Sequence, residues 1–161
     1  MEEDIPDVKR IVQEMEQLKS SKLITIKKAE RIGNNDLEWK IVFDGPEETP
    51  YEDGIFTLKL IFPKDYPEKG PEAIFITKMF HPNIRESDQH VCISLLNDWD
   101  KMTTVEFIIF GIFEIIMDPR VIGGYPLNEA TKLLKENNDA YFDRVEEYVY
   151  KYAQKEYLLE N

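Results

Sequence analysis

Residues 37–62 read LEWKIVFDGPEETPYEDGIFTLKLIF, and their apolar side chains fall on every second position: Leu37, Trp39, Ile41 and Phe43, then Phe56, Leu58, Leu60 and Phe62. A period of two puts one face of an extended chain against a core and the other toward water, so both runs are strands. Between them, Asp44-Gly45-Pro46 has the composition of a turn. Toward the N terminus, Ile24 and Ile26 alternate ahead of Gly33-Asn34-Asn35-Asp36, which predicts another strand and a short hairpin loop. Toward the C terminus, Ala73 to Thr77 predicts a fourth strand. Four consecutive strands with short connections imply an antiparallel meander.

Helical spacing flanks this sheet. Ile5, Val8, Ile11, Val12, Met15 and Leu18 recur at steps of three and four, a stripe on a helix over about residues 4 to 20 that would dock on the sheet. After the strands, Thr103-Thr104-Val105-Glu106 reads as a capping box, and a helix apolar nearly all round follows to about Met117, where Pro119 stops it. Pro126 to Glu136 reads as a short helix. Asn138 then caps a last helix with Tyr141, Val145, Tyr148, Val149, Tyr152 and Ala153 on one stripe. The class is α+β: an N-terminal helix, a four-stranded meander, an irregular segment and three C-terminal helices. At 161 residues, with no internal repeat or linker, the chain is expected to form one domain over 1–161.

Composition removes several function classes. A formal charge of −12 repels phosphate backbones and anionic lipid, so nucleic acid is not an expected partner. The longest apolar run, Phe107 to Met117, is broken by Gly111 and Glu114 and is shorter than the ~20 residues a membrane span needs. A single cysteine makes no internal disulfide, and the opening MEEDIPDVKR carries no apolar signal segment. A cytoplasmic or nuclear setting and a monomer are expected.

The chemistry concentrates in the irregular segment 78–102, KMFHPNIRESDQHVCISLLNDWDKM, which holds the cysteine, Cys92, and both histidines, His81 and His90. Long segments without regular structure are commonly functional. His90 lies two positions before Cys92, so in extended backbone both point the same way, the pattern of a Cys-His thiol hydrolase. No third orienting group is evident for such a pair. One cysteine and two histidines do not complete a tetrahedral metal site, and no metal or cofactor is expected.

The run Phe80-His81-Pro82-Asn83-Ile84, then Val91-Cys92-Ile93 and Trp99, resembles the active-site signature of the ubiquitin-conjugating enzyme family. Gly45-Pro46, Thr49-Pro50-Tyr51-Glu52, Gly54, Phe62-Pro63, Asp65-Tyr66-Pro67, Pro71 and Pro126-Leu127-Asn128 resemble its other loops, so the likeness covers about residues 5 to 155 in the right order. The resemblance implies that family's fold and two acyl transfers. Cys92 would accept ubiquitin or a ubiquitin-like protein from an activating enzyme as a thioester, and a substrate lysine would then attack it, usually with a ligase. Asn83 would stabilise the oxyanion, with His81 bracing the loop and Pro82 fixing the backbone that displays Asn83. An inactive variant acting as a ubiquitin-binding module remains an alternative, beside the thiol hydrolase.

The sequence also departs from the family pattern. His81 to Cys92 is one residue longer than the commonest spacing, and Cys92 to Trp99 one shorter. Gly123-Gly124-Tyr125 stands before Pro126-Leu127 where an acidic residue usually helps the incoming lysine, and Ser94 where an aspartate is common. Lysine activation would then fall to desolvation, to another carboxylate such as Asp118, or to a partner. On the ligase-facing surface, Glu68 stands where many members carry an aromatic residue, replacing apolar contact with charge, and Asp100-Lys101 stands where they carry a Ser-Pro pair. The spacing before Cys92 and the Glu147-Tyr148-Val149 to Tyr152-Ala153 tail resemble the histone-modifying subgroup, whereas Pro126-Leu127-Asn128-Glu129 resembles the ubiquitin-like-modifier subgroup. The modifier stays open between them.

Overall fold

The computed structural model describes residues 6–154. Helix α1 (Val8–Lys19) precedes strands β1 (Lys28–Ile32), β2 (Asn35–Asp44), β3 (Ile55–Ile61) and β4 (Glu72–Phe75), and helices α2 (Ser94–Asn97), α3 (Val105–Met117), α4 (Glu129–Glu136) and α5 (Asn138–Tyr152) follow. The strands pair antiparallel in the order β1-β2-β3-β4, the meander expected from the two-residue period. Opposite one another on β2 and β3 stand Trp39 and Leu60, Ile41 and Leu58, and Phe43 and Phe56. All six are buried, so one register satisfies both strands at once, and a slip of one residue would turn every one of them to water.

Ile24 and Ile26 precede β1 rather than lying in it. Lys28 pairs with Val42, so position 26 would face Asp44, where Gly45-Pro46 already turns β2 away. Ile24 is nonetheless buried, and Lys27 N–H donates to Val42 O at 2.7 Å to start the ladder.

Helix α1 covers the core with Ile11, Met15 and Leu18, but Val12 is exposed and Glu14 is buried. Glu14 is satisfied there: it accepts from the Tyr66 hydroxyl in a short hydrogen bond and from Val105 N–H at 3.3 Å, with Arg10 at 3.5 Å. Its carboxylate thus meets one of the unpaired donors at the N terminus of α3. Ile5 lies outside the described residues.

Two caps fall one residue from their expected positions. Thr104, not Thr103, caps α3 by accepting from Phe107 N–H at 3.3 Å, which leaves Glu106 free to bind Ser21 Oγ at 2.5 Å. Asn137, not Asn138, caps α5 through Ala140 N–H. Helix α3 buries Ile108, Ile109, Ile112 and Ile116 but half-exposes Phe107 and Met117, so it is less enclosed than its composition predicts. Helix α4 starts at Glu129, later than Pro126, and α5 returns to the sheet, where Ala153 O accepts from Ile55 N–H at 2.8 Å. Among the described residues no helix is long and apolar enough to cross a membrane.

Candidate active site

Segment 78–93 is irregular yet tightly held. Met79, Phe80, Ile84 and Val91 anchor it in the core. Its two halves run antiparallel: Ile84 bridges Val91, Cys92 N–H donates to Asn83 O at 2.8 Å, and Arg85 N–H donates to His90 O at 3.0 Å. This pairing sets Asn83 beside Cys92, and its side-chain Nδ2 donates to Cys92 O at 2.9 Å. Asn83 is 7% exposed, while Cys92 is partly exposed. Both line one open groove of about 450 Å³ with Ser94, Asn97, Asp98, Glu114, Ile122 and Gly124.

His81 is 1% exposed and fills both its ring nitrogens with backbone. Nδ1 accepts from Asn83 N–H at 2.9 Å, which leaves Nε2–H to donate to Ile115 O at 2.6 Å on α3. Burial is the main reason its pKa falls to about 4, against the opposing pull of the Ile115 carbonyl. The ring is neutral at physiological pH and braces the loop against α3. An unfolded histidine titrates near 6.5. Below that pH the unfolded chain binds a proton that the native ring refuses, so stability is full above 6.5 and is lost as pH falls toward 4. The loss should amount to roughly 3 kcal/mol and be visible in thermal midpoints measured across that window. His81→Gln, which keeps one donor and one acceptor, is expected to flatten the slope, and an unchanged slope in that variant would exclude His81 as its source.

A second set of contacts clamps the same loop from the C-terminal side. Buried Asn128, rather than capping α4 with its side chain, donates through Nδ2 to Ile84 O at 2.7 Å and His81 O at 3.2 Å. Tyr125 N–H donates to Pro82 O at 2.9 Å. Gly124 has φ +72°, and a Cβ there would stand 2.6 Å from Pro82 O and 3.1 Å from Asn83 Nδ2. A side chain at 124 would therefore crowd the loop and strain the backbone.

Tyr125 is the last residue before Pro126, and its hydroxyl meets His90 Nδ1 at 3.3 Å, with Arg85 stacked on the ring at 5.4 Å. Burial raises its pKa first, and the nearby Cys92 raises it further, so the phenol stays protonated. The sulfur's own hydrogen bond comes from Asn97 Nδ2 at 3.1 Å, not from His90. The Cys-His hydrolase pair that the spacing offered as an alternative is thus not formed: His90 meets the Tyr125 hydroxyl instead.

Asp118 is tied to Arg120 at 2.5 Å, which weakens it as a lysine acceptor; Asp98 and Glu114 remain on the groove wall beside Cys92. Trp99 Nε1–H donates to Pro67 O at 2.8 Å and joins the cysteine segment to the Tyr66-Pro67 loop. Glu68 and Lys101 form an exposed ion pair at 3.0 Å across these two loops, and Asp100 accepts from Met102 N–H in its own turn. Such an exposed pair is worth at most ~1 kcal/mol. Sequence reading missed Asn97 and Asn128 as site residues. Asn97 carried no usable signal, because it lies five positions beyond Cys92 in a segment that reads as irregular and only the turn of α2 brings it to the sulfur. Among the described residues no cluster of three or more His, Cys, Asp or Glu side chains is arranged to hold a metal.

A family model for ubiquitin-conjugating enzymes matches residues 10–149. "Ubiquitin-conjugating enzyme E2 2" of Trichoderma harzianum is 38% identical over 123 residues, covering 75% of this chain and 80% of that protein. "Ubiquitin-conjugating enzyme E2 3" of Arabidopsis thaliana is 35% identical over 146 residues, covering 89% and 95%. Among solved structures, the E2 domain of a Toxoplasma gondii ubiquitin conjugating enzyme superposes with a TM-score of 0.80 at 27% identity, covering 91% of this chain and 98% of that one.

Proposed function

Because the chain belongs to the ubiquitin-conjugating enzyme family, we propose that Cys92 is the residue that carries ubiquitin or a ubiquitin-like protein as a thioester. The single cysteine of the chain, partly exposed in a groove beside an ordered amide, is the observation that carries this reading. The activating enzyme presents the modifier's C-terminal carboxyl as a thioester. Cys92 thiolate takes that acyl group, and a lysine amine later displaces the sulfur.

The rest of the groove fits the second step. The Asn83 amide has two N–H donors; one is held by Cys92 O, which leaves the other to serve a thioester carbonyl oxygen as it gathers charge. The carboxylates of Asp98 and Glu114 draw a lysine ammonium toward the sulfur. A ligase would recruit the substrate, with the Glu68–Lys101 pair and Asp100 on its docking face.

Incubation with activating enzyme, ATP and ubiquitin, or a panel of ubiquitin-like proteins, is expected to give an adduct one modifier heavier that disappears on thiol reduction. Failure to charge with any modifier would sink the proposal in favour of an inactive ubiquitin-binding module.

A further inference from the structure

Among the described residues, Asn97 is the side chain that donates a hydrogen bond to the Cys92 sulfur. The single turn of α2 lifts it back over Cys92: Asn97 N–H donates to Ile93 O at 3.0 Å, and its Nδ2 donates to Cys92 Sγ at 3.1 Å. The Asn83 amide, by contrast, binds the backbone oxygen of Cys92. We propose that Asn97 is a second amide donor of the transfer reaction, a catalytic residue that follows charge between the sulfur and the carbonyl oxygen. This rests on the thioester function proposed above.

The donor's task changes along the reaction. In the uncharged protein it donates to the sulfur. Once the sulfur is acylated it becomes a poor acceptor, and the amide is released toward the adjacent carbonyl oxygen. As a neutral lysine nitrogen attacks, a C–N bond forms and the C=O π pair moves onto oxygen, where both amides can donate. The oxygen pair then returns, the C–S bond breaks with its electrons on sulfur, and the nitrogen's excess proton passes to solvent. Thiolate is regenerated beside the Asn97 amide. The amide thus stabilises both the oxyanion and the leaving group.

The test is single-turnover discharge of the charged protein onto free lysine, with charging scored separately. Asn97→Ala should charge and then discharge about tenfold more slowly; the ~10²–10³ typical of enclosed oxyanion donors is not expected, because water reaches this exposed position. Asn97→Asp places an acceptor where a donor is needed and should be slower still. Asn97→Gln, which keeps the amide donor, should recover part of the discharge rate that Asn97→Ala loses, a rescue that a merely structural role for the short asparagine side chain would not give. Discharge by both Asn97→Ala and Asn97→Asp within twofold of the wild type overturns the inference and leaves the family reaction standing. A wild-type protein that never charges removes the reaction itself, and the inference with it.

Discussion

Cys92→Ser converts the expected thiol-labile adduct into one that survives reduction, or abolishes it. Serine preserves the shape of the site and exchanges the acyl carrier: an oxyester forms slowly because the hydroxyl is scarcely ionised at neutral pH, and once formed it resists amine attack. Transfer to lysine should therefore become undetectable, the largest effect of any single substitution in this chain. The fold should be indifferent. Cys92 is only partly buried, and its sulfur's hydrogen bond is to an exposed asparagine that water can satisfy, so the thermal midpoint should correspond to a change within about 0.5 kcal/mol. Gel electrophoresis with and without reductant reads the result. The chain has one cysteine, so a reduction-sensitive adduct on the serine variant would mean that the acyl group is not held as a thioester of this chain at all.

The features that were legible before the structure are those in which neighbours along the chain share one environment. Trp39, Ile41 and Phe43 announce a strand because each packs on the same core, and no distant partner is needed to explain them. Glu14 was not legible. A carboxylate on the apolar stripe of α1 is tolerable only because Tyr66 and Val105, 52 and 91 positions away, supply donors. The choices between Thr103 and Thr104, and between Asn137 and Asn138, fail for a related reason. Adjacent residues of equal capping chemistry are separated only by the tertiary packing that sets each helix's phase. In the site, the resemblance pointed to Cys92, His81, Pro82 and Asn83, and the fold does set Asn83 beside Cys92. It included Asn128 in a matching stretch without giving it a role, though its amide ties together carbonyls 44 and 47 positions back, and it was silent on Asn97, whose contact depends on the geometry of one short helical turn. Gly124 shows the reverse case. The glycine at this position is explained once the left-handed backbone and the approach of Pro82 are known.

Asn83→Ala should separate the acyl-carrier role of Cys92 from the machinery around it. Two losses are combined in that substitution. The first is structural: Cys92 O loses the 2.9 Å donor from Nδ2, and an acceptor left unpaired in a partly buried site costs about 1–3 kcal/mol. The backbone bonds from Cys92 N–H to Asn83 O and from Asn83 N–H to His81 Nδ1 do not involve the deleted atoms, so the loop should keep its path and the protein should still charge. The second loss is electrostatic and larger in rate. Without the amide's other N–H, the oxyanion formed by lysine attack has one fewer oriented donor, and discharge should fall by about 10²-fold. Because that interaction belongs to the transition state, raising the lysine concentration should not restore the rate. A residue serving the loop alone would behave differently: its alanine variant would melt earlier, yet assayed well below its midpoint it would discharge within about twofold of the wild type. The magnitude should also exceed that of Asn97→Ala, since Asn83 is buried at the groove wall and water replaces its amide less well than it replaces an exposed one.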